Sequence, residues 1–101
     1  MTADVREPLW RHALGDHLRR LRHRRGRTLH DVARRAGVSP QYLSEMERGV
    51  KEPSSEMIAA VAGALEVSLV DLTLGVAGEL AAGTRGSAAA AQARQAFALA
   101  A

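Results

Sequence analysis

Apolar residues recur along this chain at helical rather than strand spacing, in five separate stretches. Trp10, Leu14, Leu18 and Leu21 follow one another at four, four and three residues and define one face of a first helix, with Pro8 as a possible opener and Gly26 as its stop. Leu29, Val32, Ala33 and Ala36 repeat at i, i+3, i+4 and i+7, behind a capping pattern of Thr28 with Asp31. A third helix starts at the Ser39 cap and Pro40, turns Leu43 and Met46 inward and ends at Gly49. After the short loop Val50–Pro53, Ser54 opens a fourth helix with Ile58, Val61, Ala62 and Leu65 on one face. Ser68 with Asp71 opens a fifth, carrying Leu69, Leu72, Val76 and Leu80. No stretch alternates β-branched and polar residues as a strand would. The reading is all-α, with a flexible N-terminus over 1–7, a five-helix domain over 8–82, and a linker and alanine-rich tail over 83–101. Such a tail is marginal as an isolated helix, because nucleation is unfavourable by a factor of roughly 10⁻³. The expected core is Leu18, Leu21, Val32, Ala33, Val38, Leu43, Met46, Ile58, Val61, Leu65, Leu69 and Leu72. Val70 and Leu74 fall off that face and are left over.

The join between the second and third helices is the most informative part of the pattern. Gly37 sits where a chain leaving a helix needs a left-handed residue without a Cβ clash. Val38 then points inward and Ser39 caps the next helix at once. Two short helices around so tight a turn cross at a large angle, and the second is left exposed enough to enter the major groove of DNA. The joint spacing from Leu29 to Met46 is that of a helix-turn-helix.

Charge strengthens this expectation. The 101 residues carry a formal net charge of +3. Residues 1–51 hold 12 Lys/Arg against 6 Asp/Glu, a formal +6, whereas residues 52–101 hold 2 against 5, a formal −3. The basic half contains the helix-turn-helix, as expected of a duplex binder that gains affinity by releasing counterions. Cysteine is absent, which excludes disulfides and thiolate metal sites. Neither a secretory signal nor a stretch able to span a membrane is visible, so the expected location is cytoplasmic, and nucleoid-associated when DNA is bound.

Within the third helix, Pro40, Gln41, Ser44 and Glu45 are the candidate base-contacting residues. The Gln41 amide can both give and accept a hydrogen bond at adenine N6 and N7. Pro40 either touches a thymine methyl or simply starts the helix. Glu45 can accept from cytosine N4, against the repulsion of nearby phosphates. Candidate phosphate contacts are Arg27, Thr28, Arg34, Arg35, Tyr42, Arg48 and Lys51, with the Tyr42 ring also packing on the domain. His12, His17, His23 and His30 show no ligand spacing and are expected to be exposed; no metal or other cofactor is expected. There is no glycine-rich phosphate loop, nucleophile elbow or apolar carboxylate pair, so no enzymatic activity is expected.

From Leu14 to Leu72 the chain resembles the lambda-repressor-like, Cro/CI or XRE-type DNA-binding domain. The residues that carry the likeness are Leu14-Gly15, Leu18, Leu21-Arg22, Thr28, Val32-Ala33, Gly37-Val38-Ser39, Tyr42-Leu43-Ser44, Glu47-Arg48-Gly49, Pro53-Ser54 and the stretch from Leu65 to Leu72. A narrower resemblance is to the actinobacterial ClgR-type regulators of Clp genes. It rests on residues 26–29, on residues 42–49, and on Lys51-Glu52 and Ser54-Ser55-Glu56. Pro40-Gln41 departs from that subfamily's pattern, Pro53 is more like the general family, and Leu29 stands where many relatives have a glutamine.

The resemblance implies operator binding by a homodimer at half-sites about 34 Å apart, control of transcription through RNA polymerase, and activation of Clp protease genes. It also implies that Glu47 is a structural acid tying the helix end to neighbouring backbone. The surplus apolar residues Val70, Leu74, Val76 and Leu80 are the expected dimer interface, with Phe97 and Leu99 as additions. Leu99, Ala100 and Ala101 are similar to the tag that Clp-type unfoldases read, which makes Clp protease an expected partner at the C-terminus. The alternative is a generic XRE-type repressor or an antitoxin acting through a protein partner.

Overall fold

In the computed structural model, residues 9–83 are described and form five helices, α1 (Trp10–Arg24), α2 (Leu29–Ala36), α3 (Pro40–Arg48), α4 (Ser55–Ala64) and α5 (Leu69–Gly83). No strand occurs among the described residues. Helix starts follow the expected chemistry. The hydroxyls of Thr28, Ser39, Ser54 and Ser68 accept from the backbone N–H three residues on, at 3.0, 3.0, 3.2 and 2.9 Å. Leu9 precedes α1 without a side-chain cap; Pro8, the expected opener, lies outside the described residues. Gly37 ends α2 in the left-handed conformation (φ 75°, ψ 28°), and Val38 N–H closes the turn on Ala33 O at 3.0 Å. No glycine follows α4. Glu66 takes the left-handed position instead (φ 62°), which disfavours any residue with a Cβ.

The core joins all five helices: Ala13, Leu14, Leu18 and Leu21 from α1, Val32 and Ala33 from α2, Leu43 and Met46 from α3, Val61, Ala62 and Ala64 from α4 with Leu65 just beyond, and Leu72 and Val76 from α5. Val38 and Ile58 pack against its edge. Two expectations about α5 change. Leu69 is 47% exposed rather than part of the core, because it occupies the first turn of α5, at the helix end. Val76 is completely buried and belongs to the core instead of an outer surface, since it stacks one turn beyond Leu72 on the inward face. Trp10, at the start of α1, is 36% exposed.

Helix α1 is the central support, packing against both α3 and α5, while α2 packs on α3 and α4. Gly15 makes the α1–α3 contact possible. A Cβ there would fall on the carbonyl oxygens of Met46 and Glu47, 2.5 Å from the latter. On the opposite side Glu79 of α5 pairs with Arg20 and lies 3.6 Å from His17 Nδ1, and the His17 ring rests against Gly75. The Arg20 hydrogen bond, with a smaller contribution from His17, lowers the Glu79 pKa despite partial burial. His17 is therefore a packed residue and not an exposed one, unlike His12, His23 and His30.

Candidate nucleic-acid interface

Helix α3 buries Leu43, Met46 and Glu47 and turns the opposite face outward. At 100° per residue that outward face is Gln41, Ser44, Glu45 and Arg48. Gln41 and Arg48 are exposed, and Ser44 and Glu45 are half-buried. Pro40 and Tyr42 flank it, both half-buried, with Tyr42 packed against the core edge. Lys51 follows in the exit loop. Its ammonium lies 5.6 Å above the centre of the Tyr42 ring, close enough for a cation–π attraction. Arg34 and Arg35 are exposed at the end of α2, and the exposed Thr28 caps its start. Ser44, Arg48 and Leu29 line a cleft of about 500 Å³ shared by α1, α2 and α3, with Arg19 on the α1 side. The cleft brings Ser44 and Arg48 of α3 beside the start of α2, and Lys51 lies against Tyr42 and Glu45.

Arg27 departs from the expected group. Its guanidinium turns toward Glu66, with Nη2 3.7 Å from the carboxylate, and its Nη1 is buried without a hydrogen-bond partner. Glu45 stays on the outward face and has partners within the protein. Its Oε2 accepts from Gln41 Nε2 at 3.3 Å, and its Oε1 lies 3.5 Å from Lys51 Nζ. Both oxygens already hold partners within the protein. The Gln41 hydrogen bond, followed by the charges of Lys51 and Arg48, lowers the Glu45 pKa and keeps it ionised. At the start of α2, hydrogen bonding with Thr28 does the same for Asp31.

Glu47 is the buried acid of this region, but its partner is a side chain. Arg22 Nε donates to Oε2 at 2.7 Å and Arg22 Nη2 donates to Oε1 at 3.0 Å, a bidentate pair. Arg22 Nη1 donates in turn to Arg27 O at 3.0 Å. The recognition helix is thereby fixed to α1 and to the loop before α2. Arg11 adds a second tie, donating through Nε to Gly49 O at 3.1 Å. The 25-residue separation hid the Arg22–Glu47 pair in the sequence; the only signal was the presence of both residues in the family pattern. Nothing local marked Arg11.

Val70 and Leu74, expected at a two-fold contact, are 67% and 65% exposed. Together with Leu69 and Thr73 they form an apolar hollow of about 260 Å³ on the outer face of α5. Leu80 is half-buried against the core. Leu69, and not the buried Val76, shares the exposed hollow with Val70 and Leu74. Phe97, Leu99, Ala100 and Ala101 lie outside the described residues. Among the described residues no group of three His, Cys, Asp or Glu could hold a metal ion, and no single helix is long and apolar enough to cross a membrane.

A second helix held across a glycine turn, with a polar and cationic outer face, defines a helix-turn-helix DNA-binding domain. The chain belongs to that family: residues 13–75 match the helix-turn-helix domain, in its XRE-type, ClgR-like branch. This is a DNA-binding class without enzymatic activity. Over 61 residues the chain is 52% identical to the transcriptional regulator ClgR of Mycobacterium tuberculosis, a match covering 60% of this chain and 54% of that protein. The chain thus spans about half the length of this relative. The crystal structure of the clp gene regulator ClgR from Corynebacterium glutamicum superimposes with a TM-score of 0.73 at 46% identity, covering 92% of this chain and 93% of that one. The restriction-modification controller protein C.Esp1396I, solved as a tetramer on its natural 35 base-pair operator, shares the fold: TM-score 0.68, 22% identity, covering 73% and 97% of the two chains.

Proposed function

We propose that this chain is a ClgR-type transcriptional regulator that binds palindromic operator DNA as a homodimer and activates Clp protease genes, acting with RNA polymerase in the cytoplasm. The observation that carries DNA binding is the outward face of α3, where Gln41 and Arg48 are exposed, Ser44 is half-buried between them and Lys51 is exposed just beyond. The Clp assignment is supported by the similarity to two ClgR proteins. In this reading Gln41 and Ser44, flanked by Pro40, meet base edges. Thr28, Arg34, Arg35, Tyr42, Arg48 and Lys51 meet phosphates, and Arg27 joins them by exchanging Glu66 for a phosphate.

Base and phosphate contacts leave different signatures. Gln41→Ala is expected to cost about 1–3 kcal/mol on the preferred site and little on random duplex, whereas Lys51→Ala weakens both alike and reduces the salt slope by about one. Titrations at several salt concentrations measure both effects. Equal losses from Gln41→Ala on preferred and random DNA would remove it as a base reader.

The exposed hollow formed by Leu69, Val70 and Leu74 supports dimerisation through α5. A two-fold contact places the same apolar patch against itself. Leu74→Asp is expected to give a monomer in sedimentation and to weaken binding to a two-half-site duplex by at least tenfold, in line with losing the second tethered contact. Neither Val76 nor Leu80 is an equivalent test, because altering them also disturbs the core.

A further inference from the structure

The contacts of Glu45 give it a part in sequence recognition that differs from touching a base. Gln41 and Glu45 are one helical turn apart on the outward face of α3, and Gln41 Nε2 donates to Glu45 Oε2 at 3.3 Å. The second carboxylate oxygen lies 3.5 Å from Lys51 Nζ, and that ammonium is held over the Tyr42 ring. A free glutamine at the tip of a recognition helix can turn its amide either way and so present oxygen or nitrogen first. An ionised carboxylate can only accept, and so it selects the orientation that brings the NH₂ group to it.

We infer that Glu45 is a positioning residue that fixes the Gln41 amide in the orientation that reads adenine and rejects guanine. One amide proton is used by Glu45. The other proton and Oε1 remain as an adjacent donor and acceptor, complementary to adenine N7 and the N6 amino group. Guanine presents acceptors at both N7 and O6, so the fixed Oε1 would face O6 without a proton between them. An isolated carboxylate this close to DNA would be repelled by the phosphates; Lys51 compensates its charge, and Arg48 contributes further positive potential. The inference rests on the operator-binding reading above and adds to it a residue that sets base preference through a neighbour.

The test is selection of the full chain on a randomised duplex pool, followed by titration of the enriched duplex and its single-base variants. Wild-type protein is expected to enrich one position per half-site at which Gln41→Ala reduces the preference for adenine over guanine by about tenfold. Glu45→Ala is expected to reduce it by a similar factor at that same position while binding random duplex more tightly, because a negative charge has gone. Glu45→Gln removes the charge and can offer either its oxygen or its NH₂ group to Gln41, so it no longer selects one orientation and is expected to lose the adenine preference as Glu45→Ala does. The double variant should discriminate no worse than Gln41→Ala alone, since coupled residues do not add. Retention of the adenine preference in Glu45→Ala at the position lost by Gln41→Ala would overturn the inference and leave operator binding intact. A base other than adenine at the position that Gln41 governs would do the same. Failure of the wild-type protein to enrich any sequence would overturn the operator-binding reading, and this inference with it.

Discussion

Glu47→Ala is expected to destabilise the domain by about 3–5 kcal/mol, the range for removing one partner of a buried ion pair. Both Arg22 and Glu47 side chains are largely withdrawn from water, at 11% and 7% exposure, and they meet through two parallel hydrogen bonds. Without the carboxylate, the Arg22 guanidinium keeps its bond to Arg27 O but is otherwise a buried charge without compensation. Native domains are stable by only about 5–15 kcal/mol in total, so such a loss brings a small one close to unfolding at physiological temperature. Urea denaturation gives the number directly. Replacing both partners with apolar residues, Arg22→Met with Glu47→Leu, should recover much of it, because no charge is then stranded. If Glu47→Ala alone lost less than about 1 kcal/mol, as an exposed pair would, the pair would not be a structural tie.

Gly15→Ala is the second large effect, at about 3 kcal/mol, the upper end for overpacking. The added methyl would meet backbone, the carbonyls of Met46 and Glu47, and neither can rotate aside as a side chain would. Relief requires α1 and α3 to separate, which also strains the Arg22–Glu47 and Arg11–Gly49 bonds. Gly63→Ala and Gly78→Ala are the matched controls. Both glycines lie inside helices, a Cβ at each would meet nothing within 4 Å, and alanine there should stabilise by about 0.5–1 kcal/mol. Thermal or urea unfolding of the three variants should therefore show opposite signs. A Gly15→Ala protein as stable as wild type would mean that the α1–α3 contact adapts freely.

Helix boundaries were legible because their signals are local. Thr28, Ser39, Ser54 and Ser68 each cap where spacing and residue type place them, and Gly37 turns the chain as required. The outward face of α3 was legible for the same reason, since Leu43 and Met46 fix which way the helix is rotated. What stayed hidden depends on contacts between distant segments. Leu69 and Val76 share a helical face in sequence, yet only the packed neighbours decide that the first is exposed and the second buried. His17 has no partner within its own helix and acquires Gly75 and Glu79 from α5. The partners of Glu45 lie nearby in sequence, but the choice between binding a base and holding Gln41 is a matter of side-chain rotamer. Arg27 similarly turns toward Glu66, whose unusual left-handed backbone no glycine announced.

Because α1 carries α3 on one flank and α5 on the other, it acts as a strut between the part that reads DNA and the part proposed to join two subunits. Bidentate and carbonyl ties join α1 to α3, and the Glu79 cluster joins it to α5. In the proposed dimer the separation between recognition helices is then a property of one rigid rod in each subunit. Moving the half-sites by a single base pair displaces them by about 3.4 Å and rotates them by roughly a tenth of a turn. A dimer braced in this way would resist following that displacement by bending. Part of the adjustment would then fall on twisting the duplex, whose torsional stiffness would help distinguish correctly spaced sites from near misses.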